Sequence, residues 1–333
     1  MTQLISRTPM SVLILFFVLP ILALSCKTQS KMNAQNFKAG KNTVTFQSEG
    51  EKIVGTLFTP NDFDQSKKYP TVIVDGPWTQ VKEQVGYAYG EELAKKGIVA
   101  LAFDHRFYGE SGGSPRQFES TEKKAEDISN AIGYLSTLPF VEQEKVIGLG
   151  VCAGAGNVIL AATQDDRMKG IVTGAAWLQH PTTTPLFYGG EEGINDRIQK
   201  AESAFAKYDD NQTTTMTEAY NPENAEAAMF FPVDYYGNPE RGNISAWKNE
   251  FAVQGWKEWL TLNSVSYAPK VNVPVLMVHS DQAFLPDNVK QFYADLKGEK
   301  ELIWTEGEHT EFYDKSEQIN EVVGHVVKFS NNL

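Results

Sequence analysis

Cysteine is nearly absent from this 333-residue chain, which has only Cys26 and Cys152. Histidine is scarce at five residues. No Cys/His cluster has zinc spacing and no segment has the P-loop pattern, so neither a metal nor any other cofactor is expected. Basic charge is also in deficit, with 30 Lys+Arg against 42 Asp+Glu and a net charge of −12. That balance argues against a nucleic-acid partner. No internal repeat or heptad pattern is visible. The longest apolar run, Ser11 to Leu24, is short for a comfortable membrane span.

That run is instead expected to be a targeting segment. Arg7 supplies a basic start, the apolar stretch follows, and Ala23-Leu24-Ser25-Cys26 resembles a bacterial lipobox in which Cys26 would carry lipid. An ordinary cleaved signal peptide and an uncleaved anchor are the alternatives. The expectation is an exported protein held to a bacterial membrane in the cell envelope. Residues 1–26 are leader and 27–41 a polar tether. Cys152 would then have no disulfide partner. An unpaired thiol in an oxidising compartment is a liability unless it is buried or used.

The remaining ~300 residues suit one large α/β domain. Thr43–Phe46 and Ile53–Phe58 flank Ser48-Glu49-Gly50-Glu51 and read as an antiparallel hairpin. Strands and helices then alternate. The strands are Thr71–Val74, Ile98–Phe103, Lys145–Leu149, Gly170 to about Trp177, Val275–Val278 and Glu301–Trp304. The helices are Glu83–Lys96, Thr121–Leu138, Ala153–Thr163, Asp287–Leu296 and one from about Ser316. Such alternation implies a mostly parallel sheet with helices on both faces, binding ligands at the strands' carboxyl ends. About 90 residues interrupt it. The expected organisation is a core in two parts, 42–179 and 272–333, with a mainly helical, aromatic-rich cap at 180–271. That cap includes a charged helix near Asp196–Tyr208.

Gly150-Val151-Cys152-Ala153-Gly154 lies between an apolar strand and a small-residue helix. This is the context of a nucleophile elbow, with cysteine at the apex. Glycines at both ±2 positions permit a sharp turn, and the helix N-terminus is expected to favour a thiolate. A Rossmann fingerprint, Gly148-x-Gly150-x-x-Ala153, also fits. It requires an acidic residue at the end of the next strand, and that strand has none.

A cysteine nucleophile needs a base, an orienting acid and an oxyanion hole. His309, after the last strand, is the expected base. His105, His180 and His279 stand elsewhere in the chain, and His325 lies inside the last helix. Asp281, in the loop after the penultimate strand, is the expected acid, with Glu308 and Glu311 as substitutes. The N–H of Ala153 is the first expected oxyanion donor. The second comes from Asp75-Gly76-Pro77-Trp78-Thr79. Pro77 has no N–H, so Trp78 is favoured over Gly76 or Thr79. Asp104 and Arg106 are read as bracing the loop beside the nucleophile.

Together the hairpin, the Asp104-x-Arg106-x-x-Gly109-x-Ser111 loop, the elbow, Asp281 and His309 resemble the α/β-hydrolase superfamily, in particular its dienelactone hydrolase-like branch. Asp75-Gly76-Pro77-Trp78 with Lys82-Glu83-Gln84 is similar to a subgroup of uncharacterised bacterial hydrolases. The resemblance implies hydrolysis of a small-molecule ester, lactone or thioester by a Cys152–His309–Asp281 triad. There are two departures from the branch. The cap is longer, so its substrate is not carried over. Asp281 stands five residues before Pro286 where four is usual, and Gln282 occupies the usual place. A non-catalytic envelope binding protein, a peptidase and an acyltransferase are the alternative readings.

Overall fold

Glu49 and Gly50, at φ 48° and 86°, turn strand β1 (Gly40–Ser48) back onto β2 (Glu51–Thr59). Two successive positive-φ residues match the right-handed twist of the hairpin. In this computed structural model Met1 and residues 36–333 are described, and residues 37–333 form one compact unit. The leader, Cys26 and most of the tether lie outside the described residues.

The alternation continues as β3 (Tyr69–Asp75), α1 (Val85–Lys95), β4 (Val99–Asp104), α2 (Thr121–Leu135), β5 (Val141–Val151), α3 (Gly154–Gln164) and β6 (Gly170–Gly174). The insertion holds α4 (Thr184–Phe187), α5 (Gly190–Asn211), β7 (Met216–Thr217), α6 (Asp234–Gly237), β8 (Phe251–Ala252), α7 (Gly255–Thr261) and a 3₁₀ segment, Ser264–Lys270. Then come β9 (Val275–Ser280), α8 (Pro286–Asp295), β10 (Lys300–Thr305), α9 (Glu311–Asp314) and α10 (Ser316–Asn332). Eight strands form one sheet in the order β1-β2-β4-β3-β5-β6-β9-β10. β2 is antiparallel to both neighbours, and every pairing from β4 to β10 is parallel. Two apolar clusters of buried residues, one with α1 and α10 and one with α2, α3 and α8, cover the sheet. This is the α/β-hydrolase fold.

Several boundaries differ from expectation: β5 starts at Val141 rather than Lys145, and α2 ends at Leu135 rather than Leu138. β6 stops at Gly174 rather than near Trp177, because Ala175 takes φ 41° and leaves the extended region. α5 runs well beyond Asp196–Tyr208, reaching Asn211, where Gln212 at φ 58° caps it.

Side chains of the insertion fasten it over the strand ends. Gln84 Nε2 donates to the Gly242 carbonyl at 2.6 Å, and Trp247 Nε1 to the Thr79 carbonyl at 3.0 Å. Arg241 bonds Asp314 through Nε and a terminal nitrogen at 2.7 and 2.8 Å. Inside the insertion the Arg197 guanidinium lies over the Tyr188, Phe230 and Trp256 rings, a cation–π arrangement that desolvation strengthens.

Candidate active site

Cys152 occupies the turn between β5 and α3 with φ 56°. A non-glycine residue held there is strained, and such strain collects at functional turns. The flanking glycines have a steric reason. A Cβ on Gly150 would fall 2.5 Å from the Ala155 Cα, and one on Gly154 would fall 2.5 Å from the Asp75 carbonyl oxygen. The elbow backbone therefore packs directly against the end of β3.

The thiol of Cys152 is free and buried. Burial pushes its pKa up to about 11, although the Tyr313 hydroxyl and the N–H groups of Ala153 and Trp78 act on the sulfur in the opposite sense through hydrogen bonds. The expected thiolate is thus not the resting state. Loss of hydration costs the anion more than the helix terminus and these donors return.

Of the backbone donors nominated from the sequence, Ala153 directly follows Cys152 and Trp78 lines the same pocket, and both N–H groups favour negative charge on this sulfur. The alternatives are committed elsewhere: the Gly76 N–H donates to Asp75 Oδ1 at 2.9 Å, and the Thr79 N–H to Glu119 Oε2 at 3.3 Å. Asp75 ties the donor loop to the elbow. Its Oδ2 accepts from Asn157 Nδ2 of α3 at 2.9 Å, and its Oδ1 lies 3.1 Å from His105 Nε2. The Nδ1 of His105 lies 3.3 Å from Asp127 Oδ2, and Asp127 also accepts from Arg106 Nε at 2.7 Å. Burial works against protonation of His105, but the charge of Asp75 and the hydrogen bonds to both carboxylates hold its pKa up at about 8. Asp104 clamps Lys82 on the other side, with its Oδ2 2.8 Å from Nζ.

His309 is also buried, and it walls the same pocket as Cys152. Its Nδ1 accepts the Phe284 N–H at 3.2 Å, and its Nε2 has no partner among the described residues. A neutral ring bonded this way carries its proton on Nε2. Burial, with a smaller contribution from buried His279, pushes its pKa down to about 3.

Asp281 is not where the sequence reading put it. Its side chain is 72% exposed and pairs with Lys290 Nζ at 3.3 Å, so it does not orient the imidazole of His309. Gln282, at the usual position of the acid, accepts the Gly307 N–H at 3.0 Å. Ser280 Oγ donates to the Gly307 carbonyl at 2.5 Å. These two side chains hold the histidine loop by its backbone, without a carboxylate on the ring. Glu311 is no substitute either, since its Oε2 accepts the Glu308 N–H at 2.8 Å. His180 sits apart, its Nδ1 2.8 Å from Thr182 Oγ1.

The pocket encloses about 400 Å³, counting the space that opens to solvent. Trp78, Trp177, Trp259, Phe231 and Phe284 supply much of its wall, and no carboxylate or cationic side chain lines it. Trp78 and Trp259 stack at 4.2 Å. Two wall residues, Tyr313 and Tyr236, went unassigned in the sequence. A signal existed for Tyr313. It stands four residues after His309, the spacing that brings side chains to one side of a helical turn, and the two rings pack at 5.6 Å. Among the described residues no group of His, Cys, Asp and Glu is arranged to hold a metal, and no helix is long and apolar enough to cross a membrane.

A family model described as X-Pro dipeptidyl-peptidase (S15 family) matches residues 49–311. Uncharacterized protein YcjY of Escherichia coli is 39% identical over 138 residues, 40% of this chain and 45% of that protein. Uncharacterized protein PA2218 of Pseudomonas aeruginosa is 26% identical over 294 residues, 85% of this chain and 78% of that one. Its crystal structure gives a TM-score of 0.77 at 25% identity, covering 89% and 94% of the two chains. A thiohydrolase of Aspergillus aculeatus, aneE, is 36% identical over 104 residues, 31% of this chain and 33% of that protein. Among solved structures, the α/β hydrolase GrgF from a Penicillium species matches with TM-score 0.74 at 20% identity, over 88% and 99% of the chains. A dienelactone hydrolase of Anabaena variabilis matches at 0.52 and 12%, over 89% and 99%. The matches to YcjY and the thiohydrolase span less than half of those proteins.

Proposed function

Because the chain belongs to the X-Pro dipeptidyl-peptidase (S15) family of α/β hydrolases, we propose that it is a hydrolase of thioesters, activated esters or lactones, with Cys152 as nucleophile. The family is of serine type, so this nucleophile departs from it. One observation carries the reading. The strained elbow presents Cys152 at φ 56° in a pocket that Trp78 and His309 also wall.

The sulfur attacks the substrate carbonyl and a C–S bond forms. The carbonyl oxygen takes the negative charge and is met by the N–H groups of Ala153 and Trp78. As the bond to the leaving atom breaks, His309 supplies it with the Nε2 proton and receives the thiol proton at the same nitrogen. Water then cleaves the thioester, releases the acid and restores the thiol. A thiolate is also a good leaving group, which favours acyl groups already activated. The partial match to a thiohydrolase supports testing thioesters first.

Purified protein is assayed with acyl thioesters, p-nitrophenyl esters and lactones. Turnover is expected, iodoacetamide is expected to block it, and Cys152→Ala to abolish it. Activity that survives Cys152→Ala refutes the mechanism. No turnover across the panel favours a non-catalytic binding protein on this scaffold.

The family description favours a second reading, a peptidase removing X-Pro dipeptides, tested with Ala-Pro-p-nitroanilide. A free peptide amino terminus is a buried ammonium in such a complex and needs a carboxylate partner. No carboxylate stands in the wall beside Cys152, and the nearest, Asp234 and Glu308, line the space on the far side of His309; this reading stands second. We further propose envelope attachment through lipid on Cys26. Its test is incorporation of labelled fatty acid that Cys26→Ala removes.

A further inference from the structure

We propose that Glu119 and Trp247 are positioning residues for the reaction: they grip the backbone of Thr79 on its two sides and so fix the N–H of Trp78 where the oxyanion forms. The inference rests on the hydrolase reading, in which that N–H is the second oxyanion donor. Thr79 is the strained point of the loop after β3. A turn closed by the Gln80 N–H on the Pro77 carbonyl at 3.3 Å puts Thr79 in its third position, at φ 62°. A positive φ there calls for glycine or asparagine, and a β-branched residue adopts it only under strain. Such a conformation persists where the surroundings over-determine it.

The side chain of Thr79 gives no help, since its buried Oγ1 has no hydrogen-bond partner among the described residues. The hold comes through the backbone. The Thr79 N–H donates to Glu119 Oε2 at 3.3 Å, and the Thr79 carbonyl accepts from Trp247 Nε1 at 3.0 Å. One grip comes from the start of α2 and the other from the insertion, so the turn depends on both parts of the molecule. The Glu119 carboxylate is itself fixed. Its Oε1 lies 2.5 Å from Lys124 Nζ, and its Oε2 also accepts from the Tyr108 hydroxyl at 2.8 Å. All three side chains are buried. Lys124 balances the charge, without which a carboxylate would not stay ionised in the dry interior, and the Tyr108 bond sets its direction.

Neither Glu119 nor Trp247 lines the pocket, whereas Trp78 does. They act on the chemistry through the loop. The Thr79 N–H and the Trp78 carbonyl share one peptide plane, so the grip on Thr79 also sets the backbone of Trp78. The indole of Trp78 has separate support. It stacks on Trp259 at 4.2 Å and meets Phe251 and Trp256 at 5.1 and 5.7 Å. Release of Thr79 therefore lets the Trp78 backbone turn while the ring stays in the pocket wall. An oxyanion donor meets its charge only in the transition state, so misplacing it lowers kcat with little change in KM.

The test compares two reactions of the same thiol in the full-length protein. Thioester hydrolysis builds an oxyanion. Alkylation by iodoacetamide does not: the thiol proton goes to solvent, an S–C bond forms and iodide leaves. Glu119→Leu with Lys124→Met removes the acceptor while keeping the buried pair free of net charge. Its kcat on an acyl thioester is expected to fall about tenfold to a hundredfold, less than the loss of a whole donor, with KM within about threefold. Glu119→Gln with Lys124→Met keeps an oxygen for the Thr79 N–H and should recover most of that loss. Trp247→Phe should lower kcat by a smaller factor. The alkylation rate, followed by mass spectrometry, should stay within about twofold in all three. Undiminished kcat in the Leu/Met protein, or alkylation that falls in step with kcat, overturns the proposal. If the Leu/Met protein fails to fold, judged by near-UV circular dichroism, Trp247→Phe decides: slowed hydrolysis with normal alkylation supports the grip, and unchanged hydrolysis removes it. The hydrolase reading fails separately, on wild type that does not turn over or on activity that survives Cys152→Ala, and either result removes this inference with it.

Discussion

Two buried histidines in this protein meet opposite fates. His105 and His309 are each only 4% exposed, so desolvation disfavours the charged form of both. His105 lies between Asp75 and Asp127 and has a pKa of about 8. His309 has a backbone N–H on one nitrogen, nothing on the other, and a pKa of about 3. Burial is matched, so the carboxylates decide the difference. A buried charge survives only where a partner compensates it. The ionised histidine serves the scaffold, joining the end of β3 to α2, while the neutral one faces the pocket.

The comparison can be broken by mutation. The largest expected effect is on folding. His105→Leu leaves two buried carboxylates without their shared cation and should cost about 3–5 kcal/mol in urea denaturation at pH 7. His309→Leu removes an uncharged ring and should cost much less stability while abolishing turnover. Equal losses in the two variants would undo the contrast.

The pH dependence sharpens it. His105 has a folded pKa above its unfolded value near 6.5, so its contribution is complete below about pH 6.5 and is lost as pH rises through about 8. A shift of that size corresponds to about 2 kcal/mol. His309, with its folded pKa depressed, works the other way: the unfolded chain takes up the proton first, and stability falls as pH drops from about 6.5 toward 3. Wild-type stability should therefore decline on the alkaline side. His105→Gln should lose that limb, and His309→Gln should lose part of the acid limb, both read from denaturation midpoints across pH.

A smaller effect comes from giving His309 something of what His105 has. Gln282→Glu places a carboxylate beside Gly307, two residues from the ring. The imidazole pKa should rise by about one unit at most, read by NMR of the ring protons. The smallest effect is expected from Asp281→Asn. Its side chain is solvated and paired with Lys290, so activity should stay within about twofold of wild type. A loss of tenfold or more would return Asp281 to the catalytic site.

Much of this architecture was legible in the residues. The alternation of apolar runs with amphipathic stretches located the strands and helices of the sheet, because burial on two faces imposes that pattern. Gly150 and Gly154 marked the elbow, since no side chain fits where their Cβ atoms would lie. The absence of an N–H on Pro77 directed attention to Trp78, which lines the same pocket as Cys152. The failures concern direction and solvation. Asp281 occupies the right loop, yet its side chain turns outward to Lys290. The helix terminus behind Cys152 promised a thiolate, but the apolar walls prevail. Those walls include Trp177, Phe231 and Phe284, brought in from distant parts of the chain.

By itself, then, the sequence determined the order of elements, the turn that carries Cys152 and the loop that carries His309. Each of these follows from short-range sterics and from the period of apolar residues. The tertiary structure decided which groups are charged. It set the carboxylates of Asp75 and Asp127 on His105, kept any carboxylate from His309, and brought Tyr313 into one pocket wall with Cys152. The physical reason is that ionisation depends on desolvation and on partners within a few ångströms, and packing joins partners that the chain itself keeps far apart.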